Sequence, residues 1–203
     1  MQRLAHDIGD VEVDRGDKQL NSGDHRKRRE HHGASGGRHP ALDAVVPLRA
    51  ADDDAVRRLI GREPQGEYTV VVRAANGDPV VLCNAPLLRD GTPMPTLFWL
   101  CGRDEVIAVS RLEADGAVDR VESELGLEET ARIHARYESL RDSYMPAGLV
   151  GPAPSGGVGG TRRGVKCLHA HFGHWLAGGD DAVGAWVAAR LAEAGISHAG
   201  RVA

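Results

Sequence analysis

Between Gly159 and His174 the chain gathers Arg162, Arg163, Lys166, Cys167, His169, His171 and His174. Three chemistries could use that set. Read as a helix from 164 to 177, the stretch places Cys167, His171 and His174 at i, i+4 and i+7, within about a 60° arc. A thiol and two imidazoles on one face are borderline-soft donors that suit zinc. Three ligands on one helix leave a fourth to be found. Cys101, at the end of an apolar strand, is the candidate, so the metal reading is Cys101, Cys167, His171 and His174.

The second chemistry is anion capture. Glycines precede the helix, and Arg162, Arg163 and Lys166 stand at its beginning. Free N–H groups at a helix N-terminus attract phosphate or carboxylate. Cations there oppose the helix dipole unless an anion compensates. Arg89 and Asp90, on a proline-rich loop, complete the ligand-binding set, Arg89 through a bidentate contact. A nucleoside-triphosphate P-loop is excluded, because Val165-Lys166-Cys167 follows Gly164 where Lys-Ser or Lys-Thr is required. The third chemistry is catalysis. Cys167 near a helix start and cations could be a nucleophile, with His169 or His174 as acid or base near neutral pH. Against all three stands an ordinary core cysteine with hydrogen-bonded histidines.

These residues need elements to hold them. Asp52, Asp53 and Asp54 before Val56, Leu59 and Ile60 predict a short helix that Gly61 and Pro64 end. Tyr68 to Arg73 and Val80 to Cys83 read as strands. Asn76-Gly77 between them favours positive φ at both central turn positions and predicts a hairpin. Pro79 must start its strand or lie on an edge. Thr96 to Cys101 reads as a third, buried strand. Helices are expected over 103–113, 117–125, 127–145 and 182–195 besides 164–177. The charged side of 127–145 is a solvated face or a partner surface. The fold expected is α+β, a small antiparallel sheet packed against four or five helices in one domain over 46–203.

Residues 1–40 carry eight Lys or Arg, seven Asp or Glu, five His and no aromatic residue. Too little apolar surface is present to offset ordering entropy, so 1–45 is expected to be a disordered charged tail. The net charge of −4 gives no argument for nucleic acid, and the run His25 to Arg29 reads as a solvated tail. Three scattered cysteines favour reduced thiols and a cytoplasmic protein. No run is long and apolar enough to span a bilayer, and no secretory signal is evident.

The strings Leu59 to Gly66, Asn76 to Val81, Ala85 to Leu100 and Val165-Lys166-Cys167-Leu168-His169 resemble the actinobacterial domain of unknown function 501. The similarity covers roughly 53–195 and singles out Arg89, Asp90, Thr92, Pro93, Lys166, Cys167, His169 and His174. It implies a soluble cytoplasmic bacterial protein, and members are encoded near an exopolyphosphatase and a septum-formation protein. It implies no activity. Relatives carry a cysteine near Ala74 or Ala75, absent here, and vary at the position of His171, which weakens a metal site built on either.

The expected function is binding of a phosphorylated or carboxylated small molecule, or a phosphate polymer, at the Gly/Arg/Lys-Cys-x-His segment. A non-catalytic interaction module for cell growth or division, with a protein partner, is the alternative, and a zinc protein is the third.

Overall fold

The computed structural model describes residues 52–202. The charged tail and residues 46–51 lie outside the described residues. Helix α1 spans Asp52–Ile60, with its three aspartates in the first turn and Arg57 and Arg58 in the last. That order matches charge to the helix dipole at both ends. Two polar ties pin α1 to the sheet. The Arg73 guanidinium donates to both Asp52 oxygens at 2.8 Å, and the Tyr68 hydroxyl donates to Asp53 at 2.6 Å. Val56, Leu59 and Ile60 pack on Tyr68, Val70, Leu82 and Cys101 between them.

Strands β1 (Gly66–Arg73), β2 (Pro79–Leu88) and β3 (Phe98–Leu100) form one antiparallel sheet in that order. Pro79 opens its strand, as its missing donor requires. The hairpin turn differs from the expected two-residue form. Gly77 N–H donates to Ala74 O at 2.9 Å, so Ala75 and Asn76 are central and Gly77, at φ 89°, follows them. Gly77 carries a positive φ and the Ala74 amide donates to Asp78 O at 2.9 Å, which matches a turn followed by a left-handed residue. The register slips between Val70 and Val72. Such a bulge re-aims side chains. Val70 joins the cluster under α1, while Val71 and Val72 join the larger core.

Helix α2 spans Arg103–Ala114 and α3 spans Ala117–Ser143. α3 is interrupted at Gly126, where φ 75° and ψ 164° are not helical, the break expected between 125 and 127. The Tyr137 hydroxyl on α3 accepts the Leu97 and Phe98 amides at 2.6 and 3.3 Å. That ties the sheet edge to the helix. Arg141, whose side chain is 0% exposed, donates to the carbonyls of Gly156 and Pro154 and to Asp142.

Helix α4 spans Leu168–Leu176 and α5 spans Ala182–Glu193. α4 begins later than the spacing predicts. Gly164 has φ 68°, and Cys167 is extended at φ −155° and ψ 117°. The Val165 amide is taken by the Glu122 carboxylate of α3 instead of a helical carbonyl. Arg162, Arg163 and Lys166 therefore lie on an irregular segment before the helix, and Cys167 is its capping residue. Gly173 lets α4 lie close on β3, since a Cβ there would stand 3.3 Å from the Leu100 nitrogen. Leu168, Phe172 and Leu176 of α4 meet Val183, Val187 and Leu191 of α5 and Ile133 and Tyr137 of α3 in the larger core. The fold is α+β, and among the described residues five α-helices surround a three-stranded antiparallel sheet.

Candidate functional site

Cys167, His169 and Glu113 meet where α2 ends and α4 begins. Each is half-buried. Glu113 accepts the Leu168 amide at 2.6 Å. The positive end of α4 is thus met by the protein's own carboxylate, across 55 residues of sequence. His169 Nδ1 lies 3.2 Å from Glu113 Oε1 and 3.7 Å from Cys167 Sγ. On the other side of the ring, Nε2 lies 3.2 Å from Val106 O and 3.1 Å from Ser110 Oγ. A carbonyl only accepts, so Nε2 carries a proton toward Val106. Nδ1 beside a carboxylate favours a second proton. Burial alone would hold the imidazole pKa down. The Cys167 sulfur, Glu113 and the Val106 carbonyl outweigh it and push the value up to about 9. Thiol, imidazole and carboxylate all converge on Nδ1. That is not the relay of a nucleophilic triad, in which thiol and carboxylate use opposite ring nitrogens. The Glu113, Cys167 and His169 ligand atoms all lie within 4.8 Å of one another.

Arg162, Arg163 and Lys166 are exposed around this junction. Among the described residues they make no hydrogen bond or ion pair. Other cations are occupied. On α3, Arg132 pairs with Glu128 and Glu129, and Arg136 with Glu129 and Asp180. The long charged helix neutralises itself, as a solvated face does.

His171 and His174 point away from Cys167 into the interior. Both direct Nδ1 at Asp181, at 2.9 and 3.0 Å from Oδ2. Asp181 Oδ1 accepts the Gly184 amide at 2.9 Å and caps α5. Burial alone would raise the Asp181 pKa; His171 and His174 hold it well below the usual carboxylate range. His174 stacks on Phe98, with ring centroids 5.5 Å apart, and meets the edge of Tyr137. His171 Nε2 is buried without a hydrogen-bond partner among the described residues. Beside it, His134 accepts the Val158 amide at Nδ1 (3.1 Å), which leaves its Nε2 proton to donate to Gly164 O at 2.7 Å. That pairing is satisfied by the neutral ring. Burial, then the neighbouring His171, lower its pKa.

The remaining residues singled out by sequence lie elsewhere. Arg89 is spent on Glu67 at 3.0 Å and on the carbonyls of Pro64 and Gly66. Asp90 accepts the Thr92 amide at 2.9 Å, which closes its turn and keeps its carboxyl below the usual range. Cys101 sits in the cluster under α1, and burial, helped by Glu105, pushes its thiol up to about 12. Cys83, Cys101 and Cys167 are all free thiols. Cys101 also lines a cleft of about 360 Å³ with Arg58 and Leu59 of α1 and Arg103, Val106 and Ile107 of α2. Arg58 and Arg103 are exposed and unpaired among the described residues.

Sequence reasoning did not single out Glu113, Ser110, Arg58 or Arg103, and took Asp181 only as a cap. No local pattern marks the first four, since each owes its role to tertiary neighbours. Asp181 carried a partial signal, a cap ten residues after a helical histidine.

No helix among the described residues is long and apolar enough to cross a membrane. No curated protein and no solved structure matches the chain. A family model described as "Protein of unknown function (DUF501)" matches residues 70–189, from within β1 to within α5. That span is more than half of the chain and holds Glu113, Cys167, His169 and Asp181; the chain belongs to the DUF501 family.

Proposed function

We propose that this protein binds a small anionic molecule, phosphorylated or carboxylated, in the cleft between α1 and α2. The observation that carries this reading is a cleft of about 360 Å³ flanked by Arg58 and Arg103 over an apolar floor of Leu59, Val106 and Ile107. That volume falls in the range of small-molecule sites, which combine apolar lining with a few placed polar groups. Guanidinium groups that no described residue engages can grip phosphate or carboxylate bidentately. The apolar floor asks for a ligand with an organic body, which favours a small molecule over a bare phosphate chain. The cations Arg162, Arg163 and Lys166 are the second place such an anion would settle. There the guanidinium and ammonium groups would bind it, because the Leu168 amide is already given to Glu113.

A thermal-shift screen of the full chain against pyrophosphate, nucleotides and aliphatic carboxylates tests the reading. A ligand at 100 times its dissociation constant should add about 2.7 kcal/mol of stability. The shift should vanish in Arg58→Ala/Arg103→Ala and persist in Arg162→Ala/Arg163→Ala/Lys166→Ala. Loss in the second variant instead moves the site to the 162–166 segment. No shift with any anion at millimolar concentration overturns the reading.

A further inference from the structure

We infer that Glu113, Cys167 and His169 form a three-ligand site for Zn²⁺, with a fourth position open to solvent. The distances carry this. Zinc holds nitrogen and oxygen at ~2.1 Å and sulfur at ~2.3 Å, so a tetrahedral site has N···O edges of ~3.4 Å and N···S edges of ~3.6 Å. His169 Nδ1 stands 3.2 Å from Glu113 Oε1 and 3.7 Å from Cys167 Sγ. Two edges of the coordination tetrahedron are therefore in place, and all three ligand atoms lie within 4.8 Å of one another.

The surroundings fit as well. Metal-bound imidazoles donate their second ring proton to a carbonyl or carboxylate, which fixes the ring. His169 Nε2 does so at Val106 O, 3.2 Å away. One sulfur, one nitrogen and one oxygen suit Zn²⁺; Mg²⁺ and Ca²⁺ demand oxygen alone. Binding requires the thiolate and a bare Nδ1, and the displaced protons pass to solvent. The site differs from the one the helical spacing predicts. His171 and His174 are engaged by Asp181 in the interior, and Cys101 lies in the cluster under α1. His169 reaches the site because Cys167 precedes the helix in extended conformation. The inference is independent of the anion reading, since its test uses no anion.

The test is Co²⁺ titration of the chelator-treated full chain, followed by optical spectroscopy and Zn²⁺ displacement. One equivalent should bind with a thiolate-to-cobalt charge-transfer band, which Zn²⁺ abolishes. Only a cysteine can give that band, so the five histidines in residues 1–40, a stretch without cysteine, cannot mimic it. Cys167→Ser should remove the band and Cys83→Ser and Cys101→Ser should keep it. Serine is a favoured helix cap, so Cys167→Ser should fold. Glu113→Gln, which keeps an acceptor for the Leu168 amide, should weaken affinity at least tenfold. Absence of the band in the wild-type chain, or its survival in Cys167→Ser, overturns the assignment.

Discussion

His171 and His174 share one acceptor: both Nδ1 atoms lie within 3.0 Å of Asp181 Oδ2, in the interior of the protein. Three residues apart on α4, they fall on one helix face, and the cap of α5 supplies the carboxylate between them. The same carboxylate therefore joins the two helices and starts the second.

Asp181→Ala is expected to cost about 3–5 kcal/mol, the range for breaking a buried charged network. It strands two imidazole protons and removes the α5 cap together. Asp181→Asn keeps an oxygen for the Gly184 amide and should cost less. Urea unfolding of the two variants and the wild type measures both numbers.

Stability should fall as the solution is acidified below about pH 6.5, before carboxylates titrate. His134 is the cause. Its folded pKa is depressed by burial, so the unfolded chain takes up protons first. Its contribution is complete above the unfolded value and is lost as pH drops through the depressed one. Asp181, whose folded value also lies below normal, adds a second loss below about pH 4. Below about pH 6.5, where the unfolded imidazole takes up its proton, urea midpoints should fall toward about pH 5 in the wild type and stay flatter in His134→Gln.

In the metal-free protein the His169 imidazole should titrate near pH 9 by NMR. Here the sign is reversed. A raised folded pKa stabilises below the unfolded value near 6.5 and is lost as pH climbs through about 9. Glu113→Gln should bring the midpoint down, because it removes the carboxylate at 3.2 Å. An unchanged midpoint would mean that the carboxylate does not govern the ring.

Gly173→Val should destabilise by about 1–3 kcal/mol, as overpacking does. The added methyls would enter the space between α4 and β3, where even a Cβ stands 3.3 Å from the Leu100 nitrogen. Gly173→Ala should cost less, since only that one carbon must be absorbed. Thermal melts of both variants order the effect.

The elements could be read from the chain because their signals are local. β-branched runs on either side of Asn76-Gly77 mark a hairpin, and Gly61, Gly116 and Gly126 mark helix limits by backbone freedom alone. The start of α4 was not legible. Its glycine and cation spacing fits a helix from 164, but Glu122 and Glu113 claim the Val165 and Leu168 amides from 43 and 55 residues away. Once that segment is extended, His169 changes place with His171 and His174. The buried pair goes to Asp181, and His169, which lay outside the predicted arc of Cys167, His171 and His174, meets the thiol. Periodicity places residues on faces; it does not say where the helix begins, and here that point decides which histidine meets Cys167.

Arg141 has a consequence for how the chain tolerates cutting. Val150 is 97% exposed on the segment joining α3 to α4, yet Arg141 grips that segment further on, at Pro154 and Gly156. A protease nick beside Val150 would leave the sheet and α3 on one fragment and α4 and α5 on the other. Each fragment supplies half of a shared interior. The nicked protein should therefore elute as one particle and come apart only in denaturant, so two separately expressed halves divided at this bond should reassemble.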